Sequence, residues 1–346
     1  MNNITLYVNF YLFSVKLFYN VVISVIFNPI KLNQAGMSSL LHITNGDNFT
    51  QRLQKLNLDG DVITWNEMLC EGKTLPNVGT ETFWKARFEF LHKNYKVSKS
   101  WFIEKTLKEY RSLCSHKQQD QIILWFEYDL FCQVNMLAVI SWLLTHRKYA
   151  QISLVCSGKE DDSDKMYSLN DLTDDQLLSL YKNKKVLTQD DAEYADYVWQ
   201  LYCSNNPIRL ENLTDFNDYQ FDYLGDAVKS HLKRFPSIVN GLNDMENTIL
   251  RLALEEKPKS KAEFMKVILK NQGNLGFADT QYDRAITRLK PLIISLNPVR
   301  LSKKGKEILE GETSYYSCIQ DNDVYLGGAL KYNFLYNTDS NRILKL

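Results

Sequence analysis

Residues Gln121–Gln133 read QIILWFEYDLFCQ, and the parsing of the whole chain turns on this stretch. It opens with an unbroken apolar run, Ile122-Ile123-Leu124-Trp125-Phe126. A run of that length, rich in β-branched and aromatic side chains, suits a strand covered on both faces. Glu127 and Asp129 follow, and an apolar helix is expected from about Leu130 to Thr145. Strand, acidic turn and helix make half of a βαβ unit. Open parallel sheets bind ligands beyond the carboxyl ends of their strands, so the two carboxylates mark a candidate site.

The same rhythm extends on both sides of this stretch. Leu40–Thr44 reads as a short strand ending in the turn Asn45-Gly46-Asp47, with helical spacing over Phe49–Leu56. Gly60-Asp61 restarts a strand, Val62–Trp65, which ends in Asn66 and Glu67. A helix-rich insertion then covers Thr82–Asn94, which contains Arg87, and Lys99–Leu113. Ile152–Cys156 supplies a fourth strand. Strands alternating with helices predict an α/β fold, a doubly wound, mostly parallel, Rossmann-like sheet over residues 37–160.

Past the acidic run Glu160–Asp164, a solvated boundary, the pattern turns helical over residues 165–236. Thr173-Asp174-Asp175-Gln176 has the form of a capping box, Thr188–Tyr202 is amphipathic, and Tyr223–Phe235 ends at Pro236. Residues 240–346 change rhythm again. Helices are expected at Met245–Leu254, Lys261–Leu269 and Asp279–Leu289, then strands at Leu292–Leu296 and Val299–Ser302 and a helix at Lys303–Glu310. Three helices and a strand pair predict a winged-helix-like part, followed by a short β tail. Its third helix would offer Arg284 and Arg288 to DNA. Gly241–Gly311 carries thirteen Lys/Arg against nine Asp/Glu. That excess is no strong nucleic-acid signature, so any DNA or protein contact is expected to be weak.

Composition narrows the class further. The 346 residues carry a formal net charge of zero, so no global field gathers nucleic acid or anionic lipid. Six cysteines are scattered without a CxxC pair or zinc-like spacing, which points to the reducing cytoplasm. Residues 1–36 stand apart: Leu6–Phe27 is apolar and aromatic but broken by Asn9, Lys16 and Asn20. Two readings are open there. One is an over-called start, with translation beginning at Met37; the other, if Met1 is used, is a membrane anchor. In either case the segment is expected not to pack on the globular part.

Several motifs carry a family resemblance. His42-Ile43-Thr44-Asn45-Gly46-Asp47, Gly60-Asp61-Val62-Ile63-Thr64-Trp65-Asn66-Glu67-Met68-Leu69-Cys70-Glu71-Gly72 and Leu124–Gln133 resemble the signature of the bacterial family called domain of unknown function 1835. Asn240-Gly241-Leu242 with Glu246, and Tyr325-Leu326-Gly327-Gly328, are similar to its companion C-terminal domain, also of unknown function. The chain departs from the pattern at Lys73, where the family usually has Pro. It departs again in the tail, which has Leu330 and Phe334-Leu335-Tyr336-Asn337 in place of a His and a Trp-Arg-Trp-Asp-like element. The resemblance brings no established activity, so the chemistry rests on the residues.

In a parallel sheet Asn45, Asp47, Glu67, Glu127 and Asp129 all emerge at one edge. Clustered carboxylates repel and raise each other's pKa unless a cation or donor compensates. Asp47, Glu67, Glu127 and Asp129 are therefore the candidate catalytic residues, able to hold a divalent cation or to work as an acid/base pair. His42, Asn45, Glu71, Arg87 and Gln133 are the candidate binding residues. Five of these have a plainer reading: Asp129 and Asp47 as helix caps, His42 as a hydrogen-bonded core residue, Arg87 as a neutralising partner, and Gln133 as a surface residue. No dinucleotide fingerprint and no Gly-x-Ser-x-Gly elbow occurs. The expected function is a metal-assisted hydrolase or transferase acting on a phosphorylated or nucleotide substrate. The alternatives are a non-catalytic small-molecule sensor whose winged-helix-like part contacts DNA or protein, and a scaffold whose acidic crevice is only a folding device.

Overall fold

A computed structural model describes residues 39–159, 165–213, 219–319 and 322–346. The N-terminal segment and the Glu160–Asp164 boundary therefore lie outside the described residues. In chain order the first elements are β1 (Leu40–Asn45), α1 (Asp47–Lys55), β2 (Asp61–Trp65) and the two-residue β3 (Gly72–Lys73). Next come α2 (Glu81–Tyr95), α3 (Lys99–Phe102), a π-helical turn (Ile103–Leu107) and α4 (Lys108–Ser115). After them stand β4 (Gln121–Glu127), α5 (Leu130–His146) and β5 (Gln151–Ser157). The expected strand and helix ends here shift by one or two residues, as fraying ends do.

The central sheet runs in the order β2-β1-β4-β5-β6. Its first four strands are parallel. The edge strand β6 (Lys185–Val186) is antiparallel to β5. Strand order reverses between β1 and β4, which makes the crevice beyond their carboxyl ends the topological switch point of the sheet. Both faces are covered, because alternate residues of one strand enter two different cores. Ile122, Leu124 and Phe126 join the larger core beneath α5, while Ile123 and Trp125 pack with Phe49 and Leu53 of α1 and with Leu169, Leu172 and Leu177. Helix α5 lies between the sheet and α7, so thirteen of its residues are buried, and its polar Asn135 and Ser141 are hydrogen-bonded.

The residue range 165–236 is less separate than its helical pattern suggests. It contains α6 (Asp174–Lys182), opened by the expected Thr173 capping box. It then donates β6 to the sheet, and α7 (Gln189–Tyr202) packs on α5. A 3₁₀ segment (Pro207–Leu213) and α8 (Leu224–Leu232) complete it.

The C-terminal part contains α9 (Asp244–Glu255), α10 (Lys261–Lys270) and α11 (Asp279–Arg288). An antiparallel hairpin, β7 (Ile293–Leu296) and β8 (Val299–Leu301), and α12 (Lys303–Leu309) follow. The tail forms β9 (Tyr325–Gly327), β10 (Ala329–Leu330), β11 (Phe334–Asn337) and β12 (Arg342–Lys345). Strand β9 pairs in parallel with β3, stitching the tail to the loop that follows β2. The glycine pair in the tail has a steric reason. A Cβ at Gly327 would overlap the Tyr202 carbonyl and one at Gly328 the Cys203 carbonyl, while Gly328 N–H donates to Tyr202 O at 3.0 Å. One continuous core spans all three parts of the chain. Among the described residues no helix is long and apolar enough to cross a membrane.

Candidate active site

The turn after β4 and the start of α5 build the centre of the site. Asp129 has extended backbone and caps α5: its Oδ1 accepts from Cys132 N–H at 2.8 Å. Capping fixes the carboxylate at the helix N-terminus, where the macrodipole favours negative charge. Glu127, the last residue of β4, accepts from Leu169 N–H at 2.8 Å. Ligand atoms of Glu127, Asp129 and Cys132 lie within 4.8 Å of one another.

Three other buried or half-buried carboxylates have a cationic partner, Glu67 in Arg87, Asp47 in Lys105 and Glu246 in Lys331, whereas buried Asp191 is held by the Thr188 and Gln220 N–H groups and the Thr188 hydroxyl. No salt bridge reaches Glu127 or Asp129 among the described residues. Burial, together with the neighbouring Asp129 charge, pushes the Glu127 carboxyl up to about 7. Burial likewise pushes Asp129 up to about 6, although the Cys132 N–H pulls the other way. The Cys132 thiol is held well above its ordinary value by burial and by the two carboxylates.

Unsatisfied polar atoms surround the cluster. Gln133 donates from Nε2 to Glu127 O at 2.7 Å, but its buried Oε1 has no hydrogen-bond partner among the described residues. The same is true of Ser157 Oγ, at the end of β5 directly beside Glu127. On the other side Asn45 Nδ2 lies 3.0 Å from Cys132 Sγ, and its Oδ1 accepts from Asn135 Nδ2 at 2.8 Å. A cavity of about 170 Å³ opens beside Asn45, lined by Gly46, Asn66, Glu67, Met68 and Phe131 among others. The C-terminal part closes the cluster from behind. Gly276 has φ +67°, and a Cβ there would overlap the Asp129 carboxylate.

The structure thus brings Glu127, Asp129, Asn45 and Gln133 to the switch point, and it separates the other expected residues. Asp47 stands at the same sheet edge but outside the cluster. It is the first residue of α1 and not its side-chain cap. Its carboxylate accepts from Lys105 Nζ at 2.7 Å and Asn66 Nδ2 at 3.0 Å, and these contacts hold it below the usual carboxylate range.

Glu67 is a buried ion-pair partner: Arg87 Nε donates to its Oε2 at 3.0 Å. Arg87, fully buried, also donates to the carbonyls of Glu71 at 2.7 Å, Met68 at 3.0 Å and Lys73 at 3.2 Å. It is therefore a latch on the 67–73 loop, not a ligand-facing group. Glu71 turns away from the crevice, toward Tyr95, Arg234 and Arg284. His42 lies three residues inside β1 and is fully buried. Its Nδ1 accepts from Trp125 Nε1 at 3.0 Å and its Nε2 donates to Asp59 O at 2.9 Å, leaving neither nitrogen for a ligand.

Cys132 escaped the sequence reading because an apolar context makes a cysteine look like core. Its place three residues after Asp129, at the start of a capped helix, was the available signal. In the C-terminal part, Arg284 and Arg288 of α11 are turned inward, onto the α/β part of the chain.

No protein-family model matches the chain, and a search of curated proteins returns no match. Among solved structures the chain is similar to the crystal structure of the Plasmodium falciparum topoisomerase II DNA-binding, cleavage and re-ligation domain. The likeness has a TM-score of 0.36 at 12% identity, covers 72% of this chain and spans 41% of that one. A likeness of that degree carries no inference about function.

Proposed function

We propose that the chain is a metal-assisted hydrolase or transferase, acting on a phosphorylated or nucleotide substrate at the crevice between β1 and β4. One observation carries this reading: ligand atoms of Glu127 and Asp129 lie within 4.8 Å of one another at the switch point, and among the described residues no salt bridge neutralises them. A divalent cation would remove their repulsion and supply Lewis-acid chemistry to a phosphoryl oxygen. The donor set fits two kinds of metal. Mg²⁺ and Mn²⁺ would take the carboxylate oxygens; Zn²⁺ would also draw Cys132 as thiolate. Without a cation Glu127, its carboxyl pushed up to about 7, would be the residue able to exchange a proton with substrate; with a cation bound it would serve as a ligand instead. Gln133 and Asn45 would orient substrate from the two sides.

The test is a thermal-shift titration of the full chain with Mg²⁺, Mn²⁺ and Zn²⁺. Binding should stabilise the fold by about 2.7 kcal/mol at a hundredfold excess over Kd. Asp129→Asn deletes the charge and keeps the cap, so the variant should stay folded at a cost of at most about 1 kcal/mol and lose the metal response. A parent indifferent to all three cations ends the metal reading and leaves a metal-free acid/base crevice.

A second reading, a sensor whose 240–346 part contacts DNA or protein, draws on the hairpin end of that part. Lys290, Arg300, Lys303, Lys304 and Lys306 are exposed there, whereas Arg284 is bonded to Asn94 and Arg288 lines an internal cavity. Five cations support only weak, sequence-independent contact. A plot of log affinity for duplex DNA against log salt should then have a slope no steeper than about −4.5. Tight binding with clear sequence preference at physiological salt would promote the sensor above the enzyme.

A further inference from the structure

A second cavity, of about 260 Å³, lies where the β3 loop, α2, α11 and residues 323–331 meet. Four cations face it: Arg234, Arg284, Arg288 and Lys331. Arg234 and Lys331 are almost fully buried, at 4% and 3% exposure. Two carboxylates compensate them. Glu71 is approached by Arg284 at 3.5 Å and Arg234 at 3.7 Å. Glu246 accepts from Lys331 at 2.8 Å and lies in the field of Arg288. Four cations against two carboxylates leave two positive charges uncompensated in a site largely shielded from water. At the rim, Lys73 and Lys93 face Glu89 and Asp323, which cancels. Arg288 lines the cavity, yet its guanidinium has no hydrogen bond or ion pair with any described residue. An enclosed guanidinium fork without a partner is a ready bidentate donor.

We propose that this cavity binds a phosphate dianion, carried by a small phosphorylated metabolite or as free phosphate, with Arg288 as its bidentate donor and Arg284 and Lys331 flanking it. The doubly negative phosphate matches the excess of two charges. A carboxylate ligand would leave one uncompensated. Tyr325 and Phe90 on the cavity wall give an organic substituent an apolar surface, and Tyr325 already lies beneath Lys73 Nζ at 4.9 Å. The site lies apart from the acidic crevice and needs no metal. It also joins the N-terminal and C-terminal parts, so an occupant would tie them together.

The experiment is calorimetry and thermal shift on the full chain in EDTA, with inorganic phosphate and ribose 5-phosphate as probes and chloride at equal ionic strength as blank. Both probes should raise the melting temperature. Tighter binding of ribose 5-phosphate assigns the site to phosphate esters; equal binding assigns it to free phosphate. Arg288→Gln removes a cation that has no hydrogen bond to a described residue, so the variant should stay folded and bind at least tenfold more weakly. Lys73→Gln should weaken binding several-fold. Asp129→Asn should bind like the parent, which separates this site from the metal crevice. A parent without a phosphate-dependent shift overturns the proposal whatever the variants do, as does equal affinity in Arg288→Gln.

Discussion

Replacing Arg87 by Met is expected to lower folding stability by about 3–5 kcal/mol, the cost typical of removing one partner from a buried ion pair. Arg87 is fully buried, and its four hydrogen bonds go to the Glu67 carboxylate and to the carbonyls of Met68, Glu71 and Lys73. Without it, Glu67 is left as an isolated carboxylate in the core, and three carbonyls lose their donors. Even with Arg87 beside it, burial already holds Glu67 above its ordinary pKa, so in the variant Glu67 is expected to take up a proton.

A second substitution, Glu67→Gln, should therefore return part of the loss, because it removes the stranded charge. Urea unfolding of the parent, both single variants and the double variant gives the coupling directly. A loss under about 1 kcal/mol for Arg87→Met would mean that the 67–73 loop is held by its packing instead. The consequence reaches function, because the loop touches both sites. Its Glu67 carbonyl accepts from Asn135 beside the crevice, and its Glu71 lines the phosphate cavity. Both ligand responses should weaken together in the variant.

In metal-free protein the Glu127/Asp129 pair is expected to make stability fall as pH rises from about 5 to 8. Both carboxyls sit above their ordinary values in the folded chain, at about 7 and about 6. The folded state therefore binds these protons more tightly than the unfolded state. Their favourable contribution is complete at low pH and is lost as pH climbs through the folded values. Each displacement corresponds to about 3 kcal/mol by the free energy of one pH unit. The pair contributes less than twice that, because the Asp129 charge is itself one cause of the Glu127 rise.

His42 and His231 are held below their ordinary pKa by burial and slope the other way in the same window, so the absolute profile mixes signs. The clean observable is the difference between the parent and a Glu127→Gln, Asp129→Asn double variant. That difference should be near zero around pH 4 and grow to several kcal/mol in the variant's favour by pH 8. Parallel stability curves would mean that the two carboxylates are solvated. Adding a divalent cation at pH 8 should close the gap from the parent's side, which ties this result to the proposed metal.

The loop between β2 and α2 shows how local and long-range information divide. From the apolar runs and turn residues alone, β1, β2, β4 and β5 were legible to within about two residues, as were the helices after each. These features depend on the chain's own periodicity and on turn chemistry that acts over a few residues. The antiparallel β6 was not legible. Two residues, Lys185 and Val186, become a strand only because the exposed edge of β5 is there to pair with.

At the site the same division holds residue by residue. Glu127 and Asp129 are two positions apart on one turn, and Asp129 is set by the first N–H groups of its own helix, so their proximity follows from sequence. The fates of Asp47, Glu71 and His42 do not. Lys105 lies 58 positions from Asp47, Arg284 lies 213 from Glu71 and Trp125 lies 83 from His42. Hydrophobic periodicity tells which face of an element is buried, but not which partner waits on that face. The second cavity is the extreme case, since Arg234 and Arg284 reach Glu71, and Lys331 reaches Glu246, only across long stretches of chain. Local periodicity and turn chemistry set the α/β scaffold and the pair of carboxylates at its switch point. Tertiary structure alone decided which charges are neutralised and which are left open, because an ion pair is set by distance in space and not along the chain.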